Sequence, residues 1–89
     1  MSGISVKTKL VRAVKIGSKI ELYDYFILLD EFSDHSGTYR DKDKTMKISD
    51  QCDENLVEQG QLYKHTYQLD QEGNYVWISS EPVDILPQK

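Results

Sequence analysis

The chain lacks the cross-links that stabilise many very small domains. It has one cysteine, Cys52, in 89 residues, so it cannot form an intrachain disulfide. One cysteine and two histidines, His35 and His65, are too few ligands for a structural zinc site. We therefore predict no metal site and no cofactor. Because a chain of this length buries only roughly 60–65% of its surface on folding, we expect a thin core.

Long apolar runs and signal-like segments are also missing. The longest unbroken apolar run is Phe26-Ile27-Leu28-Leu29, whereas a membrane-spanning helix needs about 20 apolar residues. The N-terminal residues alternate polar and apolar side chains and lack the continuous apolar segment of a signal peptide. Together with the free cysteine, these absences predict a cytoplasmic protein with no membrane partner.

Acidic residues are absent from the first 20 positions, although the net charge is −4. Residues 48–89 contain two lysines and eight acidic residues, a local balance of −6. The net sign argues against non-specific binding to nucleic acid. The first strand still offers one basic face for single-stranded nucleic acid, and a solvated strand surface is the simpler interpretation. The residues of that basic strand face are Lys7, Lys9, Arg12 and Lys15.

The N-terminal third of the chain has the pattern of a β-hairpin. Residues 4–16 alternate with the two-residue period of a half-buried strand. Gly17-Ser18 suits a type II′ turn, whose twist matches that of the strands. Residues 19–32 are rich in Ile, Tyr, Phe and Leu and predict the second strand. Large apolar side chains occupy both of its faces, which favours a curled sheet or small barrel.

The middle of the chain predicts little regular structure. Residues 33–45 are polar and rich in turn-forming residues, so we expect them to form the longest and most mobile loop. Residues 46–48 suit a short strand. Residues 50–59 suit one short helix, capped by Ser49 or Asp50.

A second hairpin is predicted near the C-terminus. Its strands are residues 61–69 and 75–80, joined by a turn at residues 70–74 with a left-handed glycine. The expected register places Leu69 opposite Tyr75, Tyr67 opposite Trp77, and His65 opposite Ser79. The whole chain, residues 1–89, is thus a single all-β domain of five or six mostly antiparallel strands, curled into a small barrel or roll.

The C-terminal tail completes this fold. Pro82 should stop regular pairing or mark a sheet edge, because proline cannot donate to a strand ladder. Three apolar residues follow it. We expect them to pack back onto the sheet; they are Val83, Ile85 and Leu86.

One face of the second hairpin is rich in aromatic residues. We define the aromatic face as Tyr63, His65, Tyr67, Tyr75 and Trp77. Tyrosine and tryptophan are enriched at protein interfaces and also stack on single-stranded bases. Aromatic cross-strand pairs are equally a standard way to fill a small β core. Because the opposite face is also apolar, one face needs a cover: the tail, a second subunit or a partner.

No residue pattern in the chain is typical of an enzyme. The glycines are isolated and form no phosphate-binding loop. We predict a non-catalytic binding module with a protein partner, such as a small inhibitor or adaptor from a mobile genetic element. The first alternative is a single-stranded nucleic-acid-binding domain of oligonucleotide-binding type, acting through the basic strand face. The second is sequestration of a small ligand in a homo-oligomer.

Overall fold

The computed structural model describes residues 3–32 and 34–86 as a mostly antiparallel sheet with one short 3₁₀ helix. This confirms the predicted all-β class, the predicted count of five or six strands, and the short helix. The elements in chain order are β1 (Ile4–Ile16), β2 (Lys19–Asp30), β3 (Gly37–Tyr39), β4 (Lys47–Ser49), the 3₁₀ helix (Glu54–Gln59), β5 (Gln61–Leu69) and β6 (Tyr75–Val83).

Strand β2 is the central strand of the sheet. It pairs with β1, β3 and β5, and the strand order along the main path is β4-β3-β2-β5-β6. Strands β4 and β6 each end that path with one neighbour, so the sheet is not closed. Of the two forms expected from the sequence, the closed barrel is therefore wrong. Closure would have required the terminal strands to find further partners.

The first hairpin forms as the alternation predicted. Strand β1 has the expected bounds, and β2 ends two residues before the predicted limit. Gly17 has a φ of +60°. Among the non-glycine residues that the structure describes, Lys44 is the one with a positive φ. Ser18 therefore has negative φ, and this combination of signs fits a type II′ turn and excludes type I′.

The chain forms two compact units, and β1 and β2 run through both. One comprises Met1–Lys9 and Tyr25–Gln61, and the other comprises Leu10–Asp24 and Leu62–Lys89. The first unit contains four of the buried hydrophobic residues described, Ile27, Leu28, Tyr39 and Val57. The second unit contains two, Tyr23 and Leu62. The core is thus thin, as expected, and it is thinnest in the second unit.

The predicted loop over residues 33–45 is wrong at Gly37–Tyr39, which form the buried strand β3 between β2 and β4. Thr38 is fully buried despite its polarity. Its hydroxyl donates to the Gln51 carbonyl at 2.6 Å and accepts from the Asp53 amide at 3.0 Å. These bonds satisfy the buried hydroxyl, so its burial is tolerated. Ser33 lies outside the described residues.

The predicted short helix exists, but its start and its cap differ from the prediction. The 3₁₀ helix begins at Glu54 because Asp53 is the N-cap, and its carboxylate accepts from the Asn55 amide at 2.9 Å. Ser49 belongs to β4, so it cannot serve as the predicted cap. Within residues 3–32 and 34–86, no helix has the length and apolar character needed to cross a membrane.

The second hairpin has the predicted turn but a shifted register beyond it. Tyr67 pairs with Trp77 and Leu69 with Tyr75, as expected. Thr66 then pairs with Ser79, which leaves Ile78 as an extra, bulged residue. The predicted pairing of His65 with Ser79 is therefore wrong. His65 lies opposite Ser80, and this one-residue shift brings a hydroxyl to the histidine.

The C-terminal end of β6 is only partly as expected. Pro82 pairs with Tyr63 on a strand that ends the sheet order, so it does mark an edge. Val83 continues β6 and is half-buried, as is Leu86. Ile85 is 76% exposed, so the prediction that it packs back onto the sheet is wrong. No strand or helix holds Ile85, which lies in a bend after β6.

A turn before β4 is closed by one carboxylate. Asp41 accepts from the Thr45 amide at 3.0 Å, from the Met46 amide at 3.1 Å, and from the Thr45 hydroxyl. Burial alone would raise the pKa of Asp41, but these hydrogen bonds to the ionised form outweigh it. The pKa of Asp41 therefore lies below its ordinary value of 3.8.

The lowered pKa of Asp41 predicts a pH-dependent turn. Because the folded pKa lies below the unfolded one, the contribution to stability is fully present above about pH 4. It should be lost as the pH falls through the folded pKa. Acid titration of the Thr45 and Met46 amide proton shifts by NMR should give a midpoint below 3.8. Thr45→Val should raise that midpoint, and a wild-type midpoint above 3.8 would contradict this assignment.

Candidate functional site

Strand β6 exposes apolar side chains on both of its faces. Four consecutive residues, Tyr75, Val76, Trp77 and Ile78, are all exposed, with Trp77 at 56% and Tyr75 at 40%. Neighbouring residues of a strand point to opposite faces. A stretch of exposed apolar residues on an edge strand is typical of an interaction surface.

The structure brings the residues of the aromatic face together on β5 and β6. The rings of Tyr63 and His65 stack with centroids 6.2 Å apart and an interplanar angle of 22°. Tyr67 lies directly opposite Trp77. Tyr67 and Tyr75 also line a shallow, mostly apolar cavity of about 280 Å³ with Ile20 and Leu22 of β2. The alternation in the sequence therefore predicted this grouping correctly.

A hydrogen-bonded chain crosses the aromatic face from β2 to β6. The Asp24 carboxylate lies 3.0 Å from His65 Nε2, and His65 Nδ1 lies 2.6 Å from Ser80 Oγ. The indole Nε1–H of Trp77 donates to the same Ser80 oxygen at 2.9 Å. When His65 is neutral, its proton lies on Nε2, because an ionised carboxylate can only accept, and Nδ1 then accepts from the Ser80 hydroxyl.

Sequence reasoning missed Asp24 and Ser80 as members of this chain. Asp24 is on a neighbouring strand, 41 positions from His65 in sequence. Ser80 reaches His65 only because Ile78 bulges out of the ladder. The one available signal was alternation in β2, which places Asp24 on the same face as Ile20 and Leu22.

The hydrogen bonds from Asp24 through His65 and Ser80 hold the Trp77 indole in a defined orientation. Tryptophan has one polar hydrogen, and here the hydroxyl of Ser80 accepts it. The large apolar ring remains exposed to solvent. A side chain fixed in this way loses little further conformational entropy when a partner covers it.

In the second unit, the face of the sheet opposite the aromatic face carries an ion-pair network. Lys64 lies 3.1 Å from Glu81 and 4.0 Å from Glu21. The hydrogen bond to Glu81, followed by its charge, raises the pKa of Lys64. Glu21 also accepts from the Tyr23 hydroxyl at 3.2 Å. Because this face is partly polar and charge-paired, the aromatic face is the better candidate for an apolar contact.

The basic strand face is divided between the two units. Lys7 and Lys9 belong to the first unit, whereas Arg12 and Lys15 belong to the second. Lys7 lies 3.2 Å from Glu54, and Lys9 contacts Glu58. Exposed pairs of this kind contribute at most about 1 kcal/mol to stability. They nevertheless place negative charge beside two of the four basic residues.

The described residues contain no group of three or more His, Cys, Asp or Glu side chains positioned to hold a metal ion. Cys52 is exposed, and its thiol lies 3.1 Å from the Asp30 carbonyl oxygen. The nearby polar groups are backbone carbonyls, which also include that of Gly37 at 3.5 Å.

Comparisons with known proteins provide no functional assignment. No protein-family model, curated protein or solved structure matches this chain. The case for a function therefore rests on the geometry and chemistry of the chain itself.

Proposed function

We propose that the chain is a non-catalytic protein-binding module that docks through its aromatic face. The observation that carries this proposal is the exposed Trp77 ring, which is held by a hydrogen bond to Ser80. Ser80 is itself hydrogen-bonded to His65, which is hydrogen-bonded to Asp24. Exposed, pre-oriented tryptophan is a frequent centre of binding energy at protein interfaces. Its neighbour Tyr75 adds further exposed aromatic surface.

Core filling alone does not account for these aromatic residues. A cross-strand aromatic pair stabilises a core when other side chains cover it. In the second unit, Tyr23 and Leu62 are the buried hydrophobic residues described, and both Trp77 and Tyr75 remain exposed. Burial of this apolar surface by a partner would contribute a favourable free energy of roughly 25 cal/mol for each Å² removed from water.

The charges around the aromatic face favour a partner with a basic rim. Residues 62–86 contain one lysine and four acidic residues, a balance of −3. Two of the acids, Asp70 and Glu72, lie at the exposed turn before β6. Acidic residues beside an apolar patch steer association toward a basic surface. A small inhibitor or adaptor acting in the cytoplasm remains our interpretation, with the free cysteine as its support.

The two alternatives have weaker support. Single-stranded nucleic acid would need free cations near the stacking rings, but Glu54 and Glu58 lie beside Lys7 and Lys9. Small-ligand sequestration would need an enclosed pocket, typically of 300–1,000 Å³. The cavity beside Tyr67, of about 280 Å³, is shallow, and a larger one of about 550 Å³ lined by Arg12 and Tyr23 is also open to solvent.

Trp77→Ala should weaken binding of the protein partner at least tenfold, as expected for the loss of a central tryptophan. Val76→Ala is the matched control, because Val76 is the adjacent exposed residue on the opposite face of β6. A quantitative pull-down would identify the partner as a protein that wild type and Val76→Ala capture in equal amounts. Calorimetry with the purified partner would then measure the affinity of each variant.

Three results would contradict the proposal. The first is a partner that binds Trp77→Ala as tightly as wild type. The second is a labelled single-stranded oligonucleotide that binds at low salt and dissociates as salt rises, which would favour the basic strand face. The third is a stable homo-oligomer by light scattering that Trp77→Ala dissociates, because a second copy would then cover the aromatic face.

A further inference from the structure

Ser80, His65 and Asp24 have the connectivity of a nucleophile, a base and an orienting carboxylate. Ser80 Oγ is 2.6 Å from one imidazole nitrogen, and the Asp24 carboxylate is 3.0 Å from the other. Both distances lie in the range required for proton transfer and for orientation of the base. The two nitrogens are exchanged relative to serine proteases, since Ser80 contacts Nδ1 here.

The nucleophile is open to reagents, whereas the carboxylate is partly shielded. Ser80 lies on the exposed edge strand β6. The Asp24 and His65 side chains are only 22% and 27% exposed. The Trp77 N–H donates to the same Ser80 oxygen, which fixes the hydroxyl and leaves one lone pair for attack. The exposed indole also offers an apolar surface beside the reacting atom.

We propose that Ser80 is an acylation site that accepts acyl groups from activated esters and thioesters, with His65 as general base. This inference concerns covalent chemistry and does not depend on the proposed binding function. Asp24 acts through His65 and is a positioning residue. It keeps the imidazole proton on Nε2 and stabilises the imidazolium that forms.

The acyl transfer balances without any additional reactant. A lone pair of Ser80 Oγ attacks the carbonyl carbon of the donor, and the hydroxyl proton passes to His65 Nδ1. The tetrahedral intermediate then collapses, and the bond from the carbonyl carbon to the leaving oxygen or sulfur breaks. The leaving group departs with the bonding electron pair and takes the proton from Nδ1. The products are an ester at Ser80 and a free alcohol or thiol.

Ser79 is an internal control for this reactivity. It is the adjacent residue on the same strand and is also exposed. It lies opposite Thr66 and points to the other face of β6, away from His65. If exposure of the hydroxyl alone determined the rate of acylation, Ser79 and Ser80 would therefore be acylated at the same rate.

The test is treatment of the intact chain with p-nitrophenyl acetate, followed by peptide mapping by mass spectrometry. We expect acetylation of Ser80 at least about tenfold faster than that of Ser79, since a positioned base contributes 10²–10⁴-fold. His65→Gln should remove that difference, whereas Ser79→Ala should retain the rate at Ser80. Circular dichroism of each variant checks that it is folded.

The role of Asp24 is tested by a carboxylate rescue. Asp24→Asn should slow acetylation of Ser80, because an amide can donate to Nε2 and favour the wrong tautomer. Asp24→Glu retains a carboxylate and should recover part of the rate, which a purely structural role would not require. Equal labelling of Ser79 and Ser80, or a wild-type rate in His65→Gln, would overturn the proposal. Neither result depends on whether a protein partner binds.

Discussion

Gly60→Ala should lower the free energy of unfolding by about 3 kcal/mol, the upper range for forced overpacking. An added Cβ would lie 2.0 Å from the Phe26 carbonyl oxygen and 2.5 Å from Ile27 Cγ2. The nearest atom belongs to the backbone of β2, so no side-chain rotation can relieve the contact. Gly60 has a φ of −81°, which any residue can adopt, so the expected cost is steric rather than conformational.

Urea unfolding monitored by circular dichroism measures this effect. Gly73→Asn is the matched control, because Gly73 has open space around it and a φ of +86°. Asparagine tolerates left-handed backbone better than other non-glycine residues do but is still strained there, so we expect a cost of at most about 1 kcal/mol. An equally small change for Gly60→Ala would show that the end of the 3₁₀ helix does not approach β2 this closely.

Thr38→Val should destabilise the protein by about 2 kcal/mol. Valine has nearly the shape of threonine but lacks the hydroxyl. In Thr38 this hydroxyl donates a hydrogen bond to the Gln51 carbonyl and accepts one from the Asp53 amide. Thr38 is fully buried, so water cannot replace the lost bonds at the threonine itself. Leaving one buried polar group unpaired costs about 1–3 kcal/mol.

The comparison with other variants separates hydrogen bonding from packing. Thr38→Ser keeps the hydroxyl and loses one methyl group, so it should cost about 1 kcal/mol. Thr8→Val on the exposed surface of β1 should change stability by no more than about 0.5 kcal/mol. Amide hydrogen exchange at Asp53 should accelerate in Thr38→Val and remain slow in Thr38→Ser. If Thr38→Val were as stable as wild type, the buried bridge would be contradicted.

Stability and binding should respond to different substitutions. Gly60 and Thr38 lie in the first unit, whereas Trp77 lies in the second. Trp77→Ala removes an exposed ring and should change the free energy of unfolding far less than it changes partner affinity. A loss of binding without a loss of stability would therefore assign Trp77 to contact rather than to the core.

Local patterns in the sequence determined the two hairpins. Strict two-residue alternation predicted β1 at Ile4–Ile16, and Gly17 supplied the positive φ of the turn. The same alternation placed the aromatic residues of β5 and β6 on one face. These features depend on side-chain period and turn chemistry within a few residues, so they can be read without knowing the rest of the fold.

Only the tertiary structure decided the burial of β3 and the hydrogen-bonded chain on the aromatic face. Thr38 is polar, and its partners Gln51 and Asp53 lie 13 and 15 positions away. Ser80 meets His65 through a bulge, and Asp24 arrives from another strand. Long-range strand pairing determines which polar groups become neighbours, and a bulge changes that pairing by one residue without leaving a mark in the alternation pattern.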